Sequence, residues 1–186
     1  MPTRLQHEAD MDTPPSAATT QAMTTSLGMN MDGAHTALAT ARLLEYARGA
    51  HLALPSHTTL EIIENPLFTA VPGAAYYAYG LLLWQGEYIP MIDFDTLHRA
   101  YQSAHRITAP RYALIVAYQT APQTPLAYGA IALAGLPQTV QVRDADYCDL
   151  PTDCDLWPLL ALSCFQHKGH VVPILDTSRL FCKHHG

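Results

Sequence analysis

Apolar and polar residues alternate along several short stretches of this chain, and each stretch ends on a turn signal. Leu44 and Tyr46 alternate with polar neighbours, Arg48-Gly49 turns the chain, and Leu52 and Leu54 alternate again before Pro55, which predicts a hairpin. Residues 59–63 predict a further short strand, stopped by Asn65-Pro66, and Pro72-Gly73 predicts a turn ahead of the aromatic and aliphatic run 76–84. Residues 112–118 are almost wholly apolar, as in a strand buried on both faces. Strands follow over 126–133 and 139–142, around Gly135, and over 159–165 and 170–175, around Lys168-Gly169. Short helices are expected over 37–44, over 95–102 and at the end of the chain, with a polar loop reaching Pro110. The stretch from Tyr147 to Trp157 is acidic and irregular. Residues 1–36 carry no sustained apolar period and read as a mobile N-terminal extension before a domain over 37–186. Many short strands separated by turns favour barrels over a parallel sheet.

One phrase occurs twice. Residues 86–97 (Gly86, Pro90, Asp93, Leu97) and 169–180 (Gly169, Pro173, Asp176, Leu180) keep Gly, Pro, Asp and Leu at matched spacing, with apolar residues flanking each Pro. Gly starts a strand from a tight turn, and Pro removes an amide donor, which suits an edge or bulge. Asp93 and Asp176 then suit N-caps, since a carboxylate accepts from the free amides of a first helical turn. Ile92 with Leu97, and Leu175 with Leu180, occupy the positions of a hydrophobic staple. An apolar run precedes each copy, 81–84 in the first and 159–162 in the second. The spacing exceeds that of solenoid repeats and points to two similar subdomains ending on one strand-to-helix device.

At 186 residues, with 49% hydrophobic and 14% charged residues, the chain can bury a core as one domain or two small interlocked ones. A formal charge of −6 argues against nucleic acid as a partner. No apolar run approaches the roughly 18 residues of a membrane span and no signal segment is read, so a soluble cytoplasmic protein without direct membrane insertion is expected. The four cysteines show no tight pairing pattern and are expected to be free thiols.

The candidate chemistry is sparse. Asp93/Asp95, Asp144/Asp146 and Asp153/Asp155 form D-x-D pairs, but none lies in a Gly-rich loop, and they read as surface loops and caps. Cys148, Cys154, His167 and His170 invite a zinc reading, although their gaps lie outside finger spacings; buried thiols and a turn histidine are the plainer alternative. Lys183-His184-His185 would bind metal only adventitiously. No nucleophile elbow, phosphate loop or dinucleotide fingerprint is present. No catalytic set, cofactor or metal site is therefore expected. Trp84 and residues 76–79 read as core and rim aromatics, of which an exposed minority would serve docking.

An ordered series of steps resembles the CheW-like domain, the adaptor module of bacterial chemosensory arrays. Ala53-Leu54-Pro55 matches an A-[IL]-P-like step and Thr59-Leu60-Glu61-Ile62 a V-x-E-I-like strand. Residues 69–74 match a [TV]-x-[VL]-P-x-[AS] turn, and residues 80–94 match the family's G-[LV]-x-x-x-R-G-x-[IV]-[VI]-P-[VI]-[IV]-D-L core. The resemblance runs from about Leu44 to Phe181. It implies a mainly β fold of two intertwined five-stranded SH3-like barrels with short helices. It also implies a non-enzymatic adaptor coupling methyl-accepting chemoreceptor tips to a CheA-type histidine kinase, in chemotaxis or in type IV pilus twitching. The receptor-facing surface would lie near the groove between the barrels. Glu61, Ile63, Gly80, Gln85, Gly86 and Pro90 are the partner-binding residues it implies. Gln85 stands where the family has Arg, and residues 131–134 lack the family's acid. A small metal- or ligand-binding protein using the Cys/His-rich second half is the alternative function.

Overall fold

The computed structural model describes residues 38–99 and 110–182. The expected extension over 1–36, the end of the helix expected over 95–102, most of the following loop and the terminal His184-His185 lie outside these residues. The chain opens with the hairpin β1 (Leu38–Ala47) and β2 (Ala50–Pro55), turned at Gly49. A 3-10 turn at Ser56–Thr58 leads to β3 (Thr59–Glu64), β4 (Phe68–Thr69), β5 (Ala78–Trp84), β6 (Glu87–Ile92) and helix α1 (Phe94–Arg99). The second half runs through β7 (Tyr112–Tyr118), β8 (Ala127–Leu133) and β9 (Gln138–Arg143), then α2 (Trp157–Leu160), β10 (Ala161–His167), β11 (His170–Leu175) and α3 (Thr177–Phe181).

Two of these elements correct the sequence reading. The helix expected over 37–44 is strand from Leu38 onward, because β1 is hydrogen-bonded on both sides, to β2 and to β9, and Ala41, Leu43 and Leu44 are buried there. Ladder bonds and burial on both flanks override the helical leaning of an Ala/Leu/Arg stretch. The strand expected over 159–165 begins only at Ala161, after the short helix α2 with Pro158 in its first turn.

The strands form two sheets, ordered β10-β11-β2-β1-β9 and β3-β7-β8-β6-β5-β4. Setting β4 aside, the second reads backwards as β5-β6-β8-β7-β3, the same scheme as the first, with a parallel join at β6–β8 matching the one at β11–β2. The opening hairpin therefore completes the sheet of the last strands. One sheet holds six strands where five were expected. Phe68 and Thr69 add to the outer edge of β5, and they approach so closely that a Cβ on Gly80 would lie 2.0 Å from the Thr69 carbonyl oxygen.

The repeated phrase is a repeated structure. Ala78 pairs with Ile92 and Gly80 with Met91, skipping one residue; Ala161 pairs with Leu175 and Ser163 with Ile174, skipping the equivalent one. Both hairpins turn on two left-handed residues, Gln85-Gly86 (φ 48° and 85°) and Lys168-Gly169 (φ 50° and 81°), a geometry that follows the strand twist. Strand pairing sets residues 164–167, not the apolar run 159–162, against the equivalent of 81–84.

Burial explains the fully apolar strands. Leu114 and Val116 of β7, Ile131 and Leu133 of β8, and Leu44, Tyr46, Leu52 and Leu54 of the first hairpin share one core with Phe94, Trp157 and Leu175. The alternate residues face inward to each sheet's own cluster, Ala113, Ile115 and Ala130 with Met91 in one, and Ala41, Leu43 and Ala53 with Phe165 in the other. No helix among the described residues is long and apolar enough to cross a membrane.

Candidate partner-binding groove

Pro90 pairs with Leu81 on β6, an inner strand between β5 and β8 and not the edge that a Pro suggests, with Ile89 and Met91 buried on either side of it. The hairpin it belongs to carries Trp84 and Gln85 out to the rim of a groove of about 880 Å³. One wall comes from the 3-10 turn, β3 and the ends of β5, β7 and β8; the other comes from Leu162 of β10 and the β11–α3 junction at Asp176.

The Trp84 indole Nε1–H donates to Glu61 Oε2 at 2.8 Å, and the Trp84 ring packs 5.0 Å from Tyr128. These contacts fix the Glu61 carboxylate on Trp84, in the groove that the uncharged Gln85 also lines. Leu60, Leu126 and Leu162 line the same groove while each exposes about half of its surface (51%, 55% and 54%). Isolated exposed apolar residues are ordinary, but three around one concavity make a surface suited to partner burial.

The β11–α3 junction is fixed by Asp176, whose Oδ1 accepts from Ser178 N at 2.8 Å while its own N–H donates to Leu160 O at 2.9 Å. The first copy does the same with Asp93. Its carboxylate accepts from Thr96 N at 3.2 Å and from Thr96 Oγ1 at 2.6 Å, and its N–H donates to Tyr77 O at 2.7 Å. Thr177 Oγ1 then donates to Ala117 O, tying α3 to β7 across the two sheets.

Of the residues singled out in the sequence, Glu61 and Gln85 meet at this groove. Gly86 is exposed at the adjacent turn. Ile63 packs half-buried against the core of the six-stranded sheet, Gly80 is buried beneath Thr69, and Pro90 is half-buried in β6. Trp84, Tyr128, Leu126 and Leu162 went unassigned to the groove. Leu60 and Ile62 carried a signal: both are apolar with Glu61 between them, and all three are exposed on an outer strand.

The four zinc candidates do not converge. Cys154 is buried in the shared core, Cys148 neighbours Cys164, and His170 packs its ring 5.8 Å from His51. Among the described residues no group of three or more His, Cys, Asp or Glu side chains stands in a metal-holding arrangement. The D-x-D carboxylates serve local structure: Asp95 pairs with Arg99 at 2.6 Å, Asp146 accepts from Arg143 N, and Asp153 accepts from the Trp157 indole.

The model of the CheW-like domain matches residues 43–184 of the chain. Among solved structures, the scaffolding protein TtCheW from Thermoanaerobacter tengcongensis is similar to it at 13% identity with a TM-score of 0.61, over 80% of this chain and 95% of that one. No curated protein matches it in sequence.

Proposed function

Since the chain belongs to the CheW-like domain family, we propose that it is a non-enzymatic adaptor of chemosensory signalling, coupling chemoreceptor tips to a CheA-type histidine kinase in chemotaxis or twitching motility. The observation that carries this reading is the groove between the sheets, where Leu60, Leu126 and Leu162 surround the Glu61–Trp84 pair. An apolar centre with a polar rim is the anatomy of a modest protein interface. It offers a receptor helix a place to bury side chains and leaves sheet edges for the kinase.

Gln85 sets the strength of the coupling. An Arg there would supply a charged fork to the groove that Glu61 also lines, with charge-assisted bonds roughly twice as strong as neutral ones. Gln offers two donors, one acceptor and no charge. The test is reconstitution with receptor and kinase, reading the rate of kinase phosphorylation. Leu126→Asp is expected to abolish receptor-dependent activation, and Gln85→Arg to raise it. Full activity of Leu126→Asp would overturn the reading.

A further inference from the structure

Tyr147 makes an isolated antiparallel bridge to Phe165, and on the next rung the Cys148 N–H donates to the Cys164 carbonyl at 3.2 Å. Residues opposed across an antiparallel pairing have Cα atoms about 4.5–5.5 Å apart and side chains on one face. That separation falls within the range a disulfide spans. The Cys148 side chain lies close enough to the Cys164 thiol to help raise its pKa. The other cysteines are placed differently: Cys154 packs in the shared core and the Cys182 Sγ reaches Gln119 O at 3.9 Å.

We propose that Cys148 and Cys164 are a redox pair that closes to a disulfide on meeting a small disulfide oxidant such as glutathione disulfide, fastening the acidic segment after β9 to the outer strand β10. The two thiols have separate tasks. Cys148 is half-exposed and meets the oxidant first. Cys164 is buried, and that burial, with the Cys148 side chain beside it, pushes its thiol pKa up, which makes it a poor first nucleophile. In the first step the Cys148 sulfur attacks one sulfur of the oxidant. Its S–S bond breaks, one glutathione leaves as the thiol, and a mixed disulfide remains on Cys148. In the second step Cys164 loses its proton and attacks the Cys148 sulfur, expelling the second glutathione as the thiol. Two protein thiols are oxidised, one glutathione disulfide is reduced to two thiols, and the two protons pass from the protein sulfurs to the leaving groups.

The consequence is local. β10 is the outer strand of its sheet, and the rung to Cys148 covers part of its free edge. Oxidation makes that cover covalent until a thiol reduces it.

The test incubates the reduced full chain with glutathione disulfide, then counts thiols after denaturation and maps the peptides. Two of the four thiols are expected to be lost, with no glutathione mass retained and a peptide joining Cys148 to Cys164. Cys148→Ser is expected to keep its remaining thiols, and Cys164→Ser to trap glutathione on Cys148. Four intact thiols, glutathione retained on Cys148 of the unsubstituted chain, or a link through Cys154 or Cys182 would each overturn the proposal.

Discussion

Gln85 keeps a left-handed backbone (φ 48°) although it carries a side chain, as does its counterpart Lys168 (φ 50°). An L-residue in that region costs roughly 1–2 kcal/mol, part of which Gly recovers against its greater freedom when unfolded. Gln85→Gly is therefore expected to stabilise the fold by about 0.5–1 kcal/mol, seen as a higher urea midpoint at unchanged slope. The caps should act in the opposite sense. Asp93→Ala is expected to cost about 1–2 kcal/mol and Asp176→Ala about 0.5–1, because Asp93 is buried and serves both the amide and the hydroxyl of Thr96. Equal losses in chemical denaturation would contradict that ranking. His98 packs its ring 5.0 Å from Trp157, and burial lowers its pKa below 6.5, the nearby Asp153 and Asp95 only partly opposing this. The folded state thus binds its proton less well than the unfolded chain. Its stability contribution is full above pH 6.5 and declines as pH falls below that value toward the lower folded pKa. Melting temperatures measured between pH 7.5 and pH 5.5, about one unit either side of the unfolded value, should fall more for the unsubstituted chain than for His98→Phe.

At the scale of elements, two glycines mark where one segment lies hard against another. A Cβ on Gly129 of β8 would come 2.4 Å from the Phe181 ring, which stacks on Tyr118 at 5.1 Å and docks α3 on the other sheet. That ring is a side-chain end and can swing aside. On Gly80 a Cβ would meet the Thr69 backbone, at a φ of 141° that side chains rarely adopt. Gly80→Ala should therefore lose about 1–3 kcal/mol and Gly129→Ala less, and thermal unfolding of the two variants checks the order. Several of these elements were legible in the sequence. The hairpins showed through Gly49, Gly86 and Gly169, and the duplicated strand-to-helix device through the spacing of Pro and Asp. The sheet order was not, because the joins Met91–Ala130 and Ile174–Ala53 link segments with no local signal between them. For the same reason the resemblance indicated Glu61 and Gln85, while Tyr128 and Leu162 reach the groove only through distant pairings. Residues 38–44 misled because helical leaning is local and the ladder that overrides it comes from β9.

The two sheets are joined through one shared core, to which β1, β2, β7 and β8 all contribute. The two sheets should unfold as one. Trp84 reports on the groove and Trp157 on the core, so fluorescence in Trp157→Phe and in Trp84→Phe should each follow the same midpoint as that variant's far-UV circular dichroism. Separate midpoints within one variant would show sheets that fail independently. The position of the opening hairpin also sets a schedule. Leu38 pairs with Arg143, and Ala53 with Ile174, so the first described strands to leave a ribosome need the last ones to complete their sheet. At about 5–20 residues per second, the hairpin waits on the order of ten seconds with both outer edges unpaired. Through that interval the six-stranded sheet can already assemble from β3 to β8, leaving Leu44, Leu52 and Leu54 to seek a surface. A nascent chain of this design is exposed to mispairing with its neighbours on the same message, and slowing its synthesis lengthens the exposure.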